Sequence, residues 1–384
     1  MRPTAGLFLA VLAAGVWLSP AAGAQESARS TKLDTEIERL QARQAAEPND
    51  LTTIEQLAEA LLARSRVSAD PRDASRAEAL TARALSLAPK DARAWNLKAW
   101  TEITAHRFGA ALAAARKAQS LGAASAVNLG LQSDALTELG RYREALAATQ
   151  AMLDRFPGLP AYSRAAHLRF LHGDLEGAVA LMRQAARAGR PRSEQTAWVL
   201  AQLSELYLHQ GKIELAEQSA QAALAIYPNL PQGEAQLARV REAQGRFADA
   251  LDLYRRAAQA QPRPEIVFPL WQLARRLALQ AEAARQAELL KALARLDEKP
   301  GLSRRVLALF FAEQVAGVEV AERLARQDLD SRPDIYSHDT LGWVLYRAGK
   351  FAQARRHAQA ALRLGTPDVT IKYHAGIILA AAGR

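Results

Sequence analysis

The sequence predicts an all-α fold, a right-handed α-solenoid of stacked helix-turn-helix units. Three observations carry that expectation. A short turn grammar recurs at a nearly fixed spacing, apolar residues between the turns fall at helical period, and prolines close several of the units. The turn is clearest in "LGWVLYRAGKFAQARRHAQAAL", Leu341 to Leu362, where Gly349 is followed by Phe351 and then Ala354.

The same grammar stands at Gly140, Tyr142 and Ala145, at Gly173, Leu175 and Ala178, at Gly211, Ile213 and Ala216, and at Gly245, Phe247 and Ala250. His106, Phe108 and Ala111 form a copy without the glycine. From His106 to Gly245 the spacings are 34, 33, 38 and 34 residues, and Gly349 to Gly383 is again 34. Each residue type has a physical reason. Glycine ends a helix in a left-handed conformation that a Cβ disfavours, the ring or aliphatic group two residues later fills the gap between helices, and the alanine five later lets them approach. A further alanine sits seven residues on, at Ala223, Ala257 and Ala361, and Pro89, Pro157, Pro228, Pro262 and Pro333 stop the second helix.

These residues resemble the tetratricopeptide repeat. The fullest copy is "LSELYLHQGKIELAEQSAQAALAIYP", Leu203 to Pro228. The chain is also similar to a group of exported bacterial tetratricopeptide proteins with "EPND" after a leading helix and a last repeat of the form "DTLGWVLYRAGKF". That resemblance implies a repeat scaffold and names no activity.

The expected organisation follows. Residues 1–24 read as a signal peptide, because Ala5 to Leu18 is almost wholly apolar and Ala22-Gly23-Ala24 has the small residues of a cleavage site. Residues 25–50 hold a linker and a leading helix from Leu33 to Ala46. About nine helix pairs fill 51–364, starting near Leu51, Ala92, Ala126, Ala161, Glu194, Gln232, Ile266, Ser303 and Tyr336. An unpaired helix, Val369 to Ala382, occupies 365–384. "VSADPRDAS", Val67 to Ser75, reads as a long loop in the first pair. Ala278 stands where the seventh pair's turn glycine belongs, with bulky Trp271 before it. Bends are expected at Gly189–Glu194, Gln261–Pro264 and Glu298–Gly301.

Composition bounds the chemistry. There is no cysteine, which excludes disulfides, thiolate metal sites and a cysteine nucleophile. With the leader, this places the mature chain in the periplasm or outside the cell, held by packing alone. The seven histidines fall in no metal-ligand spacing, and no nucleophile elbow or phosphate loop occurs. No catalytic residue, cofactor or metal is therefore expected, and the chain reads as a non-enzymatic scaffold. The net charge of +10 comes from 41 Arg and nine Lys, spread over polar helix faces. Export argues against a nucleic-acid partner, and no stretch after the leader is long and apolar enough for a membrane span.

A solenoid presents an extended concave surface. In the tetratricopeptide family, that surface is lined by fixed positions of the first helix of each pair. Carried over, they are Asn96, Trp100 and Ile103; Asp134; His167 and Phe170; Trp198, Glu205 and Leu208; Arg239 and Glu242; Tyr336, Asp339, Trp343 and Tyr346; and Tyr373. Rings interleaved with charges suit a peptide or protein segment in the groove, with Trp343 and Tyr346 foremost. The paired Lys, Arg and Asn of the family's carboxylate clamp are missing, since Arg93 and Asn96 stand isolated. The alternative function is a polysaccharide or secretion accessory that grips an anionic polymer through Arg255-Arg256, Arg275-Arg276, Arg304-Arg305 and Arg355-Arg356. The apolar last helix raises the further expectation of a homodimer.

Overall fold

Helix termini are set locally. Asp91, Ser125, Asp174, Ser193, Asp334 and Asp368 each accept a hydrogen bond from a backbone N–H in the first turn that follows them, a cap worth about 1 kcal/mol. Pro231 and Pro264 open their helices where the missing N–H costs nothing. The computed structural model describes residues 20–68, 71–296, 304–314 and 316–383. Most of the expected leader, residues 1–19, and the expected bend at Glu298–Gly301 lie outside the described residues.

A first helix, α1 (Pro20–Ala46), precedes the pairs α2 (Leu51–Ser68) with α3 (Pro71–Leu87), α4 (Ala92–Thr104) with α5 (Phe108–Ser120), and α6 (Ala126–Glu138) with α7 (Tyr142–Arg155). Next come α8 (Leu159–Leu171) with α9 (Leu175–Ala188), α10 (Glu194–His209) with α11 (Ile213–Ile226), and α12 (Pro231–Ala243) with α13 (Phe247–Ala260). The array ends with α14 (Pro264–Arg276) and α15 (Gln280–Leu296), α16 (Arg304–Ala312) and α17 (Val318–Ser331), α18 (Ile335–Arg347) and α19 (Phe351–Ala361), a 3-10 turn at Leu362–Leu364, and α20 (Val369–Ala382). No strand occurs among the described residues, and the fold is an all-α solenoid. Among the described residues, no helix is long and apolar enough to cross a membrane. The stretch expected as a long loop is largely helical, because Pro71 starts α3 almost directly after α2.

Turn geometry obeys the repeat grammar. Gly140, Gly173, Gly211, Gly245 and Gly349 have φ between 64° and 87°, and His106 and Ala278 adopt the same conformation at 55° and 56°. Those two side chains bear a strain of about 1–2 kcal/mol each. Five residues after each turn, Ala111, Ala145, Ala178, Ala216, Ala250, Ala283 and Ala354 are buried where the two helices of a pair meet. Trp271 is accommodated by stacking near Phe268, at 5.7 Å between ring centres, and by the edge of Phe310 at 5.0 Å.

The superhelix also closes on itself. Glu138 accepts from Arg332 at 3.1 Å, the Tyr142 hydroxyl accepts from the Ile335 N–H at 3.0 Å, and Thr366 donates to the Leu171 carbonyl. These contacts join residues 193 to 195 positions apart, between five and six repeats. The turns after α6 and α8 thus touch the loops before α18 and α20, forming a seam. Arg363 lies 5.4 Å over the Tyr142 ring and Arg332 lies 5.8 Å over Phe108.

Candidate functional site

The inner face is built from the first helix of each pair, and its first property is a ladder between neighbours. Arg93 of α4 pairs with Glu59 of α2 at 2.8 Å, Arg164 of α8 with Asp134 of α6 at 2.6 Å, and Arg239 of α12 with Glu205 of α10 at 2.8 Å. Arg275 of α14 reaches Glu313, just past α16, at 2.8 Å, and Arg305 of α16 reaches Asp334 at the start of α18 at 2.8 Å. Other steps use other chemistry. Asn128 of α6 donates to Asn96 of α4 at 2.7 Å, Phe170 packs on His209 with ring centres 4.9 Å apart, and Asp339 of α18 bonds His374 of α20 at 2.9 Å. A period of one repeat places matching inner positions side by side, so their charges neutralise each other.

The sequence-selected residues therefore divide. Asn96, Asp134, Glu205, Arg239 and Asp339 are rungs of the ladder. Phe170 and Asp339 are buried, while Glu242 accepts from the Tyr254 hydroxyl at 2.9 Å. Burial raises the Glu242 pKa, with the Tyr254 bond and the Arg276 and Arg239 charges opposing it. Trp343 and Tyr346 stack at 5.2 Å, and Trp343 also lies 4.2 Å from the His374 ring and 6.1 Å from Tyr373, which ties α18 to α20. Trp100, half-buried with Ile103, lines a concavity of about 580 Å³ together with Asn96, Arg93, Leu40, Glu59 and Val127. Left open on the inner face are His167, Trp198 at 39% exposure and Tyr373 at 60%.

Curvature makes the face a lumen. The His167 ring is open to solvent yet enclosed by protein: burial pushes its pKa down, against the pull of Glu138, Asp134, Glu205 and Asp334. Tyr336 has a hydroxyl pKa raised by burial and by Asp368 and Glu205, with Arg305 opposing; the Arg305 guanidinium sits 5.2 Å above its ring. Glu205 and Asp334 act on both groups, so α8, α10 and α18 look onto one space.

One residue had a sequence signal that the repeat grammar carries but the groove positions do not. Asp328 occupies the place in α17 where other repeats keep a buried alanine, such as Ala223 and Ala257. It accepts from Arg332 at 2.9 Å and from Ser337 at 2.6 Å, and lies 3.6 Å from Arg305. Burial works to raise its pKa, but the Arg305 and Arg332 charges outweigh this and hold it below the usual carboxylate value. Among the described residues, no three His, Asp or Glu side chains converge as a metal site.

The arginine pairs are largely engaged by neighbours. Arg255 contacts Glu282 at 3.2 Å, Arg256 contacts Glu234 at 2.7 Å, and Arg276 lies 4.4 Å over Phe247. Arg355 and Arg356 are exposed on α19.

Residues 340–384 match the tetratricopeptide repeat family. No curated protein matches the chain in sequence. Among solved structures, the APC/C hetero-tetramer Cut9-Hcn1 is similar over 85% of this chain at 15% identity and a TM-score of 0.52, and the chain spans 63% of that one. The human IFIT1 dimer with PPP-AAAA is similar over 89% of this chain and 80% of its own, at 16% identity and a TM-score of 0.53. An IFIT1 monomeric mutant with m7Gppp-AAAA covers 88% and 78%, at 16% identity and 0.55. At such identities the likeness is one of fold. The last repeat thus matches the tetratricopeptide repeat, and the architecture of the chain is an all-α solenoid of helix pairs.

Proposed function

We propose that this chain is a non-catalytic scaffold that holds an extended peptide or protein segment in its lumen. The observation that supports this most is that the seam curls the array round so that Glu205 and Asp334 act on both the exposed His167 of α8 and Tyr336 of α18. Because the lining charges are already paired, the open rings Trp198 and Tyr373 supply the contact area, and binding is insensitive to salt. The pairing of Arg164, Arg239 and Arg305 with neighbouring carboxylates disfavours an anionic ligand such as the m7Gppp-AAAA and PPP-AAAA found with IFIT1.

The test is capture of a partner from a cell-envelope extract by Gln25–Arg384 at low and high salt, beside a Trp198→Ala/Tyr373→Ala variant. Retention at high salt by the parent and loss with the variant is the expected result. Capture only at low salt, indifferent to both rings, overturns it and favours an anionic polymer on the arginine faces. Export is part of the same reading, and a mature N-terminus at Gln25 by mass spectrometry checks it. The outer side of α20, with Val369 at 66% exposure, is where a second copy would pair; a concentration-independent monomer mass by sedimentation removes that pairing.

A further inference from the structure

The lumen is bounded by the seam, whose chemistry differs from that of the repeat stack. Stacked pairs are joined by continuous buried Ala, Leu and Val side chains. The seam is joined by a few polar contacts: Glu138 with Arg332, Tyr142 with the Ile335 N–H, and Thr366 with the Leu171 carbonyl. Its two edges come together where glycine allows it. A Cβ on Gly140 would stand 2.5 Å from the Pro333 carbonyl oxygen, and one on Gly173 would stand 3.1 Å from that of Gly365.

Each edge belongs to helix pairs already stacked on their own neighbours, so the seam can part without unfolding any repeat. The seam is also wired to the lumen wall. Arg332 holds Glu138 across the seam and Asp328 behind it, Asp328 neighbours Arg305, and Arg305 covers the Tyr336 ring that faces the lumen.

We propose that the seam is the gate of the lumen: it parts to admit a chain segment from the side and closes to enclose it. This rests on the reading of the lumen as the binding site, and specifies how that site is regulated. A ligand entering sideways needs no free end, and contacts with Tyr336 bias the gate through Arg305, Asp328 and Arg332.

The chain has no cysteine, so a single His167→Cys substitution reports access to the lumen. Its rate of reaction is measured with a small maleimide and with a maleimide carrying a polyethylene glycol chain, with and without Tyr142→Phe/Thr366→Val at the seam. The gate predicts an unchanged rate for the small reagent and a rise of about tenfold for the bulky one. Equal bulky-reagent rates in the two backgrounds overturn it. Native-state hydrogen exchange on the unaltered chain guards against a variant that fails to fold. The Ile335 amide is expected to exchange by an opening insensitive to low urea, whereas Val344, inside α18, waits for unfolding. Exchange of both by the same global event overturns the gate. None of this requires a partner: a seam that opens in a chain capturing nothing leaves the gate standing and sinks the binding reading, and a captured partner with a seam that never opens does the reverse.

Discussion

The turns at Gly140 and Gly245 have one grammar and two fates. Both join the helices of a pair, both are followed by a ring and then a buried alanine, and their φ values are 64° and 73°. Yet a Cβ at Gly245 would meet nothing within 4 Å, whereas one at Gly140 would strike the Pro333 carbonyl oxygen at 2.5 Å and the Arg363 side chain at 2.8 Å. Local sequence builds the same turn twice. Superhelical curvature then leaves one in solvent and presses the other against Pro333 in the seam.

The largest test of this contrast is Asp328→Ala, which restores the ordinary repeat residue. A helix-stacking view expects no loss. The seam view expects a loss of about 3–5 kcal/mol in urea unfolding, because Arg305 and Arg332 are left buried around a missing carboxylate. Next, Gly140→Ala is expected to cost about 2–4 kcal/mol and Gly245→Ala about 1–2, the difference being the overlap with Pro333 added to a shared conformational strain. Equal costs would break the comparison.

Acidity sharpens it further. Asp328 has a lowered folded-state pKa, so its stabilisation is present above the unfolded value and is lost as pH falls. Glu55, away from the seam, behaves oppositely. Burial and the adjacent Asp91, with Glu59, raise it from 4.5 to about 7 against the pull of Arg93. It favours the folded state fully below its unfolded pKa and loses that effect as pH rises through about 7. Glu55→Gln is therefore expected to stabilise by about 1–3 kcal/mol at pH 8 and little at pH 4, read from thermal melts. Smallest is Tyr142→Phe, at about 1 kcal/mol for one buried N–H left without its acceptor. That loss should appear in exchange at Ile335 more than in the global melt.

The solenoid was legible because its signals are local. A left-handed glycine, a ring two residues on and an alanine at the helix crossing recur where the backbone needs them, and Ala278 and His106 follow the geometry even without the glycine. The inner face was legible as a set of positions, but not as a set of roles. Nothing in Glu205 or Arg239 alone reveals that a neighbour one repeat away neutralises it, and Trp343 and Tyr346 look like anchors until α20 lays His374 and Tyr373 against them. Asp328 was detectable as a carboxylate in an alanine column; Glu138, which shares Arg332 with it across the seam, was not.

By itself, the sequence determined the helix pairs, their turns and the small-residue crossings, since each depends on contacts within about one repeat. Only the tertiary structure decided that Glu138 meets Arg332 and that His167 and Tyr336 share a lumen. Those meetings depend on a rotation summed over five to six repeats, and a small change in each crossing would move the edges past one another. No single stretch of the chain encodes that sum.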